Sequence, residues 1–356
     1  MVQTPPAYVG AVAASKWFAF GFGLTTGRRP GYDLDSLAWE AMAALRRRAV
    51  LTCVAGLLGF AALGQSAFCQ AGAEKAADYA AQSIDRGDLE GGRNILDQAL
   101  NQYPRSAALH KVAAVLEFKA GRFDAMRTEL LRALACDPND SETYLNLGLL
   151  ELGQRRYAQA IPPLKNFVRL QPRDARGYLL LGRAYLSRNL TLEAMPEIRK
   201  ALALDPQLPL AHHDLGLALM TLGKNAEALG EFRQEIQVNP SFAGAYWRAG
   251  TIELEHGRLP EAEVFLRRAT AQDPGEAAAH FELAQCYLKE QKPEAAEAEY
   301  RRAIALDAKL IRAHYGLAQT LGALGRKEEA RREFQLHSEL LERNRRSKSG
   351  IAASRE

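Results

Sequence analysis

A period of 34 residues runs through most of this chain, and no other feature restricts its fold as strongly. A frame opened at Ala73 and stepped by 34 starts repeats at residues 73, 107, 141, 175, 209, 243, 277 and 311, so eight repeats fill 73–344 without an insertion or deletion. Position eight is always Gly or Ala: Ala80, Ala114, Gly148, Gly182, Gly216, Gly250, Ala284 and Ala318. Position twenty is small apart from Met126: Gly92, then Ala160, Ala194, Ala228, Ala262, Ala296 and Ala330. Position twenty-four is large and apolar or aromatic throughout: Leu96, Leu130, Leu164, Ile198, Phe232, Leu266, Tyr300 and Phe334. Position thirty-two is proline six times running, from Pro104 to Pro274, and then Ala308.

Each class has a physical reason. Small residues at eight and twenty let two antiparallel helices approach closely, and the large residue at twenty-four fills the space beside them. Gly87, Gly121, Gly223, Gly257 and Gly325 fall at position fifteen, where the first helix must end and turn. The proline near the end of each repeat cannot continue a helix and sets the break before the next one. Pro162, Pro163 and Pro196 fall inside second helices, where they predict a local bend. With 47% hydrophobic and 25% charged residues, the composition is that of a folded all-α chain rather than a disordered one.

Stretches such as YLNLGLLELGQRRYAQAIPPLKNFVRLQP (144–172) and AYWRAGTIELEHGRLPEAEVFLRRATAQDP (245–274) carry the small, small, large and proline positions in phase. In these positions the chain resembles the tetratricopeptide repeat family over about three quarters of its length. The resemblance implies an all-α solenoid of antiparallel helix pairs coiled into a right-handed superhelix, whose first helices line a concave groove that holds a peptide or protein segment. Repeat one, with Asp78 and Tyr79 where an apolar groove is expected, reads as a cap. The polar last helix, EEARREFQLHSELLERNRR, reads as the solvating end of the array.

In the family the groove is lined by positions two, five, six, nine, twelve and thirteen. Carried onto this sequence, that places Lys111, Asn146, Leu149, Arg176, Arg183, His213, Leu217, Met220, Trp247, Phe281 and Tyr315 along it. Trp247, Phe281 and Tyr315 share position five in consecutive repeats and form an aromatic ladder suited to anchoring a partner or to packing between repeats. Some members clamp a terminal carboxylate with five polar residues. Lys111, Asn146 and Arg176 match three of those, whereas Val115 and Leu180 stand where donors are needed, so the clamp is incomplete.

No cofactor or metal is expected. His110, His212, His280 and His314 all occupy position four, but neighbouring repeats hold them about 10 Å apart, whereas zinc ligands lie about 2 Å from a shared ion. They stand instead where Tyr144, Tyr178 and Tyr246 occur in other repeats. The sequence has no P-loop, nucleophile elbow, His-Glu-x-x-His helix or paired-cysteine site, so no catalytic residue is expected. Cys136 and Cys286 lie far apart in the array and read as small buried residues rather than a disulfide.

The net charge of +4 is concentrated at the ends, with an excess of three positive charges in 1–71 and four in 343–356, which leaves the body slightly acidic. Such a body lacks the field that attracts nucleic acid. Arg46-Arg47-Arg48, an apolar run over Val50–Gly64 and the small residues before Ala71 follow the order of a secretory signal. Residues 42–71 therefore read as a signal peptide cleaved after Ala71, or as an uncleaved membrane anchor using 49–64. Residues 1–41, upstream of Met42, read as an extension that need not be translated, and 345–356 as a basic disordered tail. The functional expectation is an exported, periplasmic or secreted scaffold binding a protein or peptide, with a role in envelope assembly or export; the alternative is a regulatory or substrate-delivering subunit of a separate enzyme.

Overall fold

A computed structural model describes residues 61–353, with side chains over 71–346. The upstream extension 1–41 and most of the signal or anchor segment 42–71 lie outside the described residues. Within them the chain forms helices joined by short turns and no strand, as the 34-residue period requires. They divide into two compact segments, residues 61–208 and 209–353, with the division falling in sequence between the fourth and fifth repeats.

The first segment holds four helix pairs: α1 (Ala61–Asp85) with α2 (Leu89–Gln102), α3 (Ala107–Lys119) with α4 (Phe123–Cys136), α5 (Ser141–Gly153) with α6 (Tyr157–Leu170), and α7 (Ala175–Leu186) with α8 (Thr191–Leu204). The second holds four more: α9 (Ala211–Thr221) with α10 (Asn225–Val238), α11 (Ala243–Glu255) with α12 (Leu259–Gln272), α13 (Ala277–Lys289) with α14 (Pro293–Leu306), and α15 (Ile311–Ala323) with α16 (Lys327–Ala353). Each pair is one repeat. Helix α16 continues across residues read from sequence as a disordered tail; no proline or glycine interrupts Lys327–Ser349, and Arg345 pairs with Glu342 one turn back.

All eight residues at position fifteen have a positive φ, from 57° at Arg155 to 85° at Gly87. Glycine takes that conformation without strain, whereas Arg155, Asn189 and Gln291 adopt it because the helices on either side dictate the turn. Helices α6 and α8 are each assigned as one element through Pro162, Pro163 and Pro196. The carbonyls that lose an N–H partner four residues earlier belong to Ala158, Gln159 and Leu192, all exposed residues on the outer side of their helices, where solvent is at hand to take the place of the missing donor.

The cores run from repeat to repeat. In the first segment Leu96 and Ala99 of α2 pack with Leu109, Ala113 and Leu116 of α3. In the second, Leu254, Ala262 and Leu266 share a cluster with Leu283 and Cys286. Burial pushes the Cys286 thiol up to about 11, so it behaves as a small apolar residue. Polar ties follow the same stacking. Buried Glu253 at position eleven accepts from Arg233 of the preceding repeat at 2.9 Å and from Arg258 of its own turn. Glu117 does the same with Arg93 and Arg122; burial works against its charged form, yet the two guanidinium hydrogen bonds hold its carboxyl below the ordinary value.

The position-four histidines are structural ties of another kind. His110, His212, His280 and His314 each place Nδ1 2.6–2.7 Å from a carboxylate nineteen residues on, namely Glu129, Glu231, Glu299 and Glu333. A carboxylate only accepts, so Nδ1 bears the proton. Each pair joins the first and second helices of one repeat.

Repeat five replaces a local helix cap by a distant one. Ser106, Asp140, Asp174 and Glu276 cap the first helices of their repeats with side-chain oxygens. The residue before α9 is instead Leu210, with φ 68° and no capping side chain. Glu235, fully buried on α10, supplies both acceptors, taking the Leu210 N–H at 2.8 Å and the His213 N–H at 3.3 Å. Burial pushes its carboxyl up, and these donors and His213 pull it back. Glu235→Ala, the residue found at this position in five other repeats, should cost about 1–3 kcal/mol by leaving buried donors unmatched. A lowered urea midpoint with an unchanged slope is the expected readout. A Cβ at Gly216 would sit 2.7 Å from the Phe232 ring; Gly216→Leu should therefore destabilise by about 1–3 kcal/mol in the same assay.

Candidate functional site

The aromatic ladder of the second segment has three rungs at three depths. Trp247 on α11 is half-buried against the Leu254–Leu266 cluster, and its Nε1 is buried without an acceptor. Phe281 on α13 is only 3% exposed and meets the Tyr300 ring edge-on at 6.0 Å, as a core residue does. Tyr315 on α15 is 44% exposed; its ring contacts Phe334 at 5.6 Å and His337 at 5.3 Å, and its hydroxyl accepts from Gln319 at 3.2 Å. Position five fixes which face these rings occupy. Depth is set by what the next helix puts over them.

Between α13 and α15 lies a hollow of about 350 Å³, with Phe281 and Tyr300 in its floor, Tyr315 and His337 on one side, and Gln285, Arg312 and Gln319 at its rim. Gly316 makes it: a Cβ there would collide with the Tyr300 ring, so the missing side chain lets that ring reach the hollow. Burial, helped by the nearby Glu282 carboxylate, pushes the Tyr300 hydroxyl well above its usual range, so it is present as a neutral donor. Two guanidinium groups lie over the ladder, Arg248 4.0 Å from the Trp247 ring centre and Arg312 4.8 Å from that of Phe281.

The other residues expected in the groove divide between the two segments. His213 is buried between Phe232 and Phe242, at 5.7 and 4.9 Å, so repeat five keeps its position-five ring as packing. Leu217 and Met220 are half-buried on α9. In the first segment, Lys111 is engaged by Asp140 at 2.9 Å and Arg176 by Asp174 at 2.5 Å, while Arg183 is buried and Asn146 and Leu149 are half-buried. The two basic residues of the incomplete clamp are thus already paired within the chain. Among the described residues no three His, Cys, Asp or Glu side chains are grouped to hold a metal.

Gln285, Gln319 and His337 are parts of the hollow that the sequence reading missed. The two glutamines share position nine in consecutive repeats, and that recurrence was the available signal. The glutamate partners of the histidines were also missed, although glutamate recurs at position twenty-three in all four histidine-bearing repeats.

Two models of the tetratricopeptide repeat match the sequence, one over 145–209 and 213–277, the other over 83–147 and 253–309. The chain belongs to the tetratricopeptide repeat family. None of the curated proteins matches it in sequence. Among solved structures, it is similar to the Cut9–Hcn1 hetero-tetramer of the APC/C, with 16% identity, a TM-score of 0.55, and coverage of 80% of this chain and 52% of that one. It is also similar to a tetratricopeptide repeat protein from Parabacteroides merdae ATCC 43184, with 15% identity, a TM-score of 0.53, and coverage of 70% and 99%. At such identities the likeness establishes the tetratricopeptide solenoid fold. Chains of this repeat are protein-interaction scaffolds, and this chain is one by its construction.

The three depths separate packing from contact. Phe281→Ala should cost about 3–5 kcal/mol, since a buried ring leaves a cavity, whereas Tyr315→Ala should stay within about 1 kcal/mol. Urea unfolding of the two variants checks this, and equal losses would place Tyr315 in the core.

Proposed function

We propose that this tetratricopeptide repeat protein binds an extended peptide or protein segment along α13 and α15, seating one large apolar side chain in the hollow beside Tyr315. The observation that carries this reading is the hollow itself, whose aromatic floor is ringed by amide and guanidinium groups. Interaction sites combine an apolar anchor pocket with a few polar groups that fix orientation in just this way. Gln285 and Gln319 offer a donor and an acceptor each to the backbone of a bound strand. The absence of sequence motifs for nucleophile, base or phosphate loop fits a scaffold rather than an autonomous catalyst.

Export is part of the proposal and is supported by sequence alone, through the basic, apolar and small-residue order of 42–71. No helix among the described residues is long and apolar enough to cross a membrane. On this reading the mature protein begins at Gly72 and works in the cell envelope or outside it, in assembly or export.

The test is selection of peptides from a random twelve-residue display library on the full chain, followed by affinity measurement. Selected peptides should share a large apolar residue. They should lose about 10-fold or more in affinity, roughly the weight of one aromatic anchor, to Tyr315→Ala and to Gln285→Trp, which fills the hollow, with helicity unchanged. Selected peptides that bind both variants as tightly as the original chain would move the site elsewhere.

A further inference from the structure

Several charged side chains of the second segment are tied to one another: Lys292 holds Glu263 and Glu290 at 2.8 Å each, and Glu297 takes Arg326 at 2.8 Å and Arg301 at 2.9 Å. Arg248 on α11, Glu282 on α13 and Arg312 on α15 lie on three successive first helices and have no hydrogen-bond or ion-pair partner among the described residues; Arg312 lines the hollow, and Glu282 is close enough to both arginines to feel their charge. The arginines lie over the Trp247 and Phe281 rings, a contact that leaves their N–H groups unmatched. Burial lowers the Arg248 pKa, so its charge is kept at a cost that Glu276 and Glu282 only partly relieve. Beside it, the Trp247 Nε1 is another buried donor without an acceptor. The guanidinium and indole donors of this stretch are thus not bonded to the chain's own acids.

We propose that this face recognises a segment with two carboxylate side chains flanking a large apolar residue, one carboxylate on Arg248, the other on Arg312, and the apolar residue in the hollow between α13 and α15. The assignment rests on the peptide-binding reading of the hollow and adds the class of partner. Planar guanidinium groups match carboxylates in a two-pronged geometry that a lysine cannot offer. The acids interleaved with them, Glu255, Glu276 and Glu282, interrupt the continuous positive field that a phosphate backbone would need, which favours a peptide over a nucleic acid.

Glu282 gives the proposal a signature. Burial pushes its carboxyl up; Arg312, Arg248 and Lys289 pull it down, and Glu255 adds to the rise. A bound carboxylate repels the charged form of Glu282 and so favours its protonation, making binding tighter as pH falls from 7.5 to 5.5. Free aspartate, with a pKa of about 3.9, stays charged across that range. A Glu282→Gln variant, which cannot titrate, isolates this contribution.

The experiment is fluorescence anisotropy on the full chain with three end-blocked nine-residue peptides that share a central Leu-Phe and carry flanking pairs of Asp, Ser or Lys. A labelled nonameric oligothymidylate serves as the nucleic-acid probe. The Asp peptide should bind at least ~10-fold tighter than the Ser peptide, about the discrimination expected of a well-placed charged pair, and the Lys peptide should bind weakest. Arg312→Met, at an exposed residue, should bring the affinity of the Asp peptide close to that of the Ser peptide, since the charge contact is lost, and an undiminished preference would overturn the assignment. Glu282→Gln should tighten the Asp peptide at pH 7.5 and flatten its pH dependence. Equal affinity for the three peptides, or a preference for Lys, would overturn the carboxylate assignment and leave the peptide-binding reading standing. No binding of any peptide would remove both, and tighter binding of the oligonucleotide would replace the peptide by nucleic acid.

Discussion

The contact on which every repeat depends is the approach of position eight to position twenty-four. Where position eight is glycine, an added Cβ would lie 2.6 Å from Leu164 at Gly148, 2.5 Å from Ile198 at Gly182 and 2.6 Å from Leu266 at Gly250. The first helix therefore rests its backbone directly on the large side chain of the second. In repeats three to seven that side chain is no more than 1% exposed, so the contact is close and dry. Helix spacing, the left-handed turn at position fifteen and the stacking of the next repeat all follow from it. Volume is exchanged around this contact rather than added: Phe167 stands where most repeats have alanine, and Gly177 opposite it gives up its side chain. Gly316 does the same for Tyr300.

What a 34-residue frame makes legible is the face on which a residue sits. It gave the two helices, the small and large contact positions, and the turn, including the three repeats where Arg155, Asn189 and Gln291 take a glycine's conformation. Depth is a different quantity, because it depends on the size of the neighbours in three dimensions. Trp247, Phe281 and Tyr315 have one address in the repeat, yet one is half-buried, one is core and one is exposed. The frame likewise marks Lys111 and Arg176 as groove-facing, but whether they are available depends on Asp140 and Asp174, both residues that also cap helices. The distant cap from Glu235 was readable only as an acid in a row of alanines. Its meaning needed the broken helix start at Leu210.

The histidine–glutamate pairs show how a shared position can mislead. Four histidines at one address invite a metal reading, and the alternative reading as aromatic substitutes explains their place without explaining their chemistry. The glutamate nineteen residues on supplies it, since in a helix pair that separation brings the two side chains across the seam. A buried imidazole left without an acceptor would be costly, and the carboxylate removes that cost locally within each repeat. Polar groups can therefore sit in the repeat without disturbing the apolar contact beside them.

This economy of pairing is what gives the unmatched groups their weight. A scaffold in which Glu117 and Glu253 each collect two guanidinium groups has ready means of neutralising charge between its helices. Arg248 and Arg312 stand next to a carboxylate, Glu282, yet lie over aromatic rings instead of bonding to it. A guanidinium lying over a ring gains from the ring face without giving up its N–H donors. Donors that meet none of the chain's own acids remain free for an outside acceptor, and a side chain already placed against a ring loses less freedom when one arrives, which is the physical ground of the proposed carboxylate recognition.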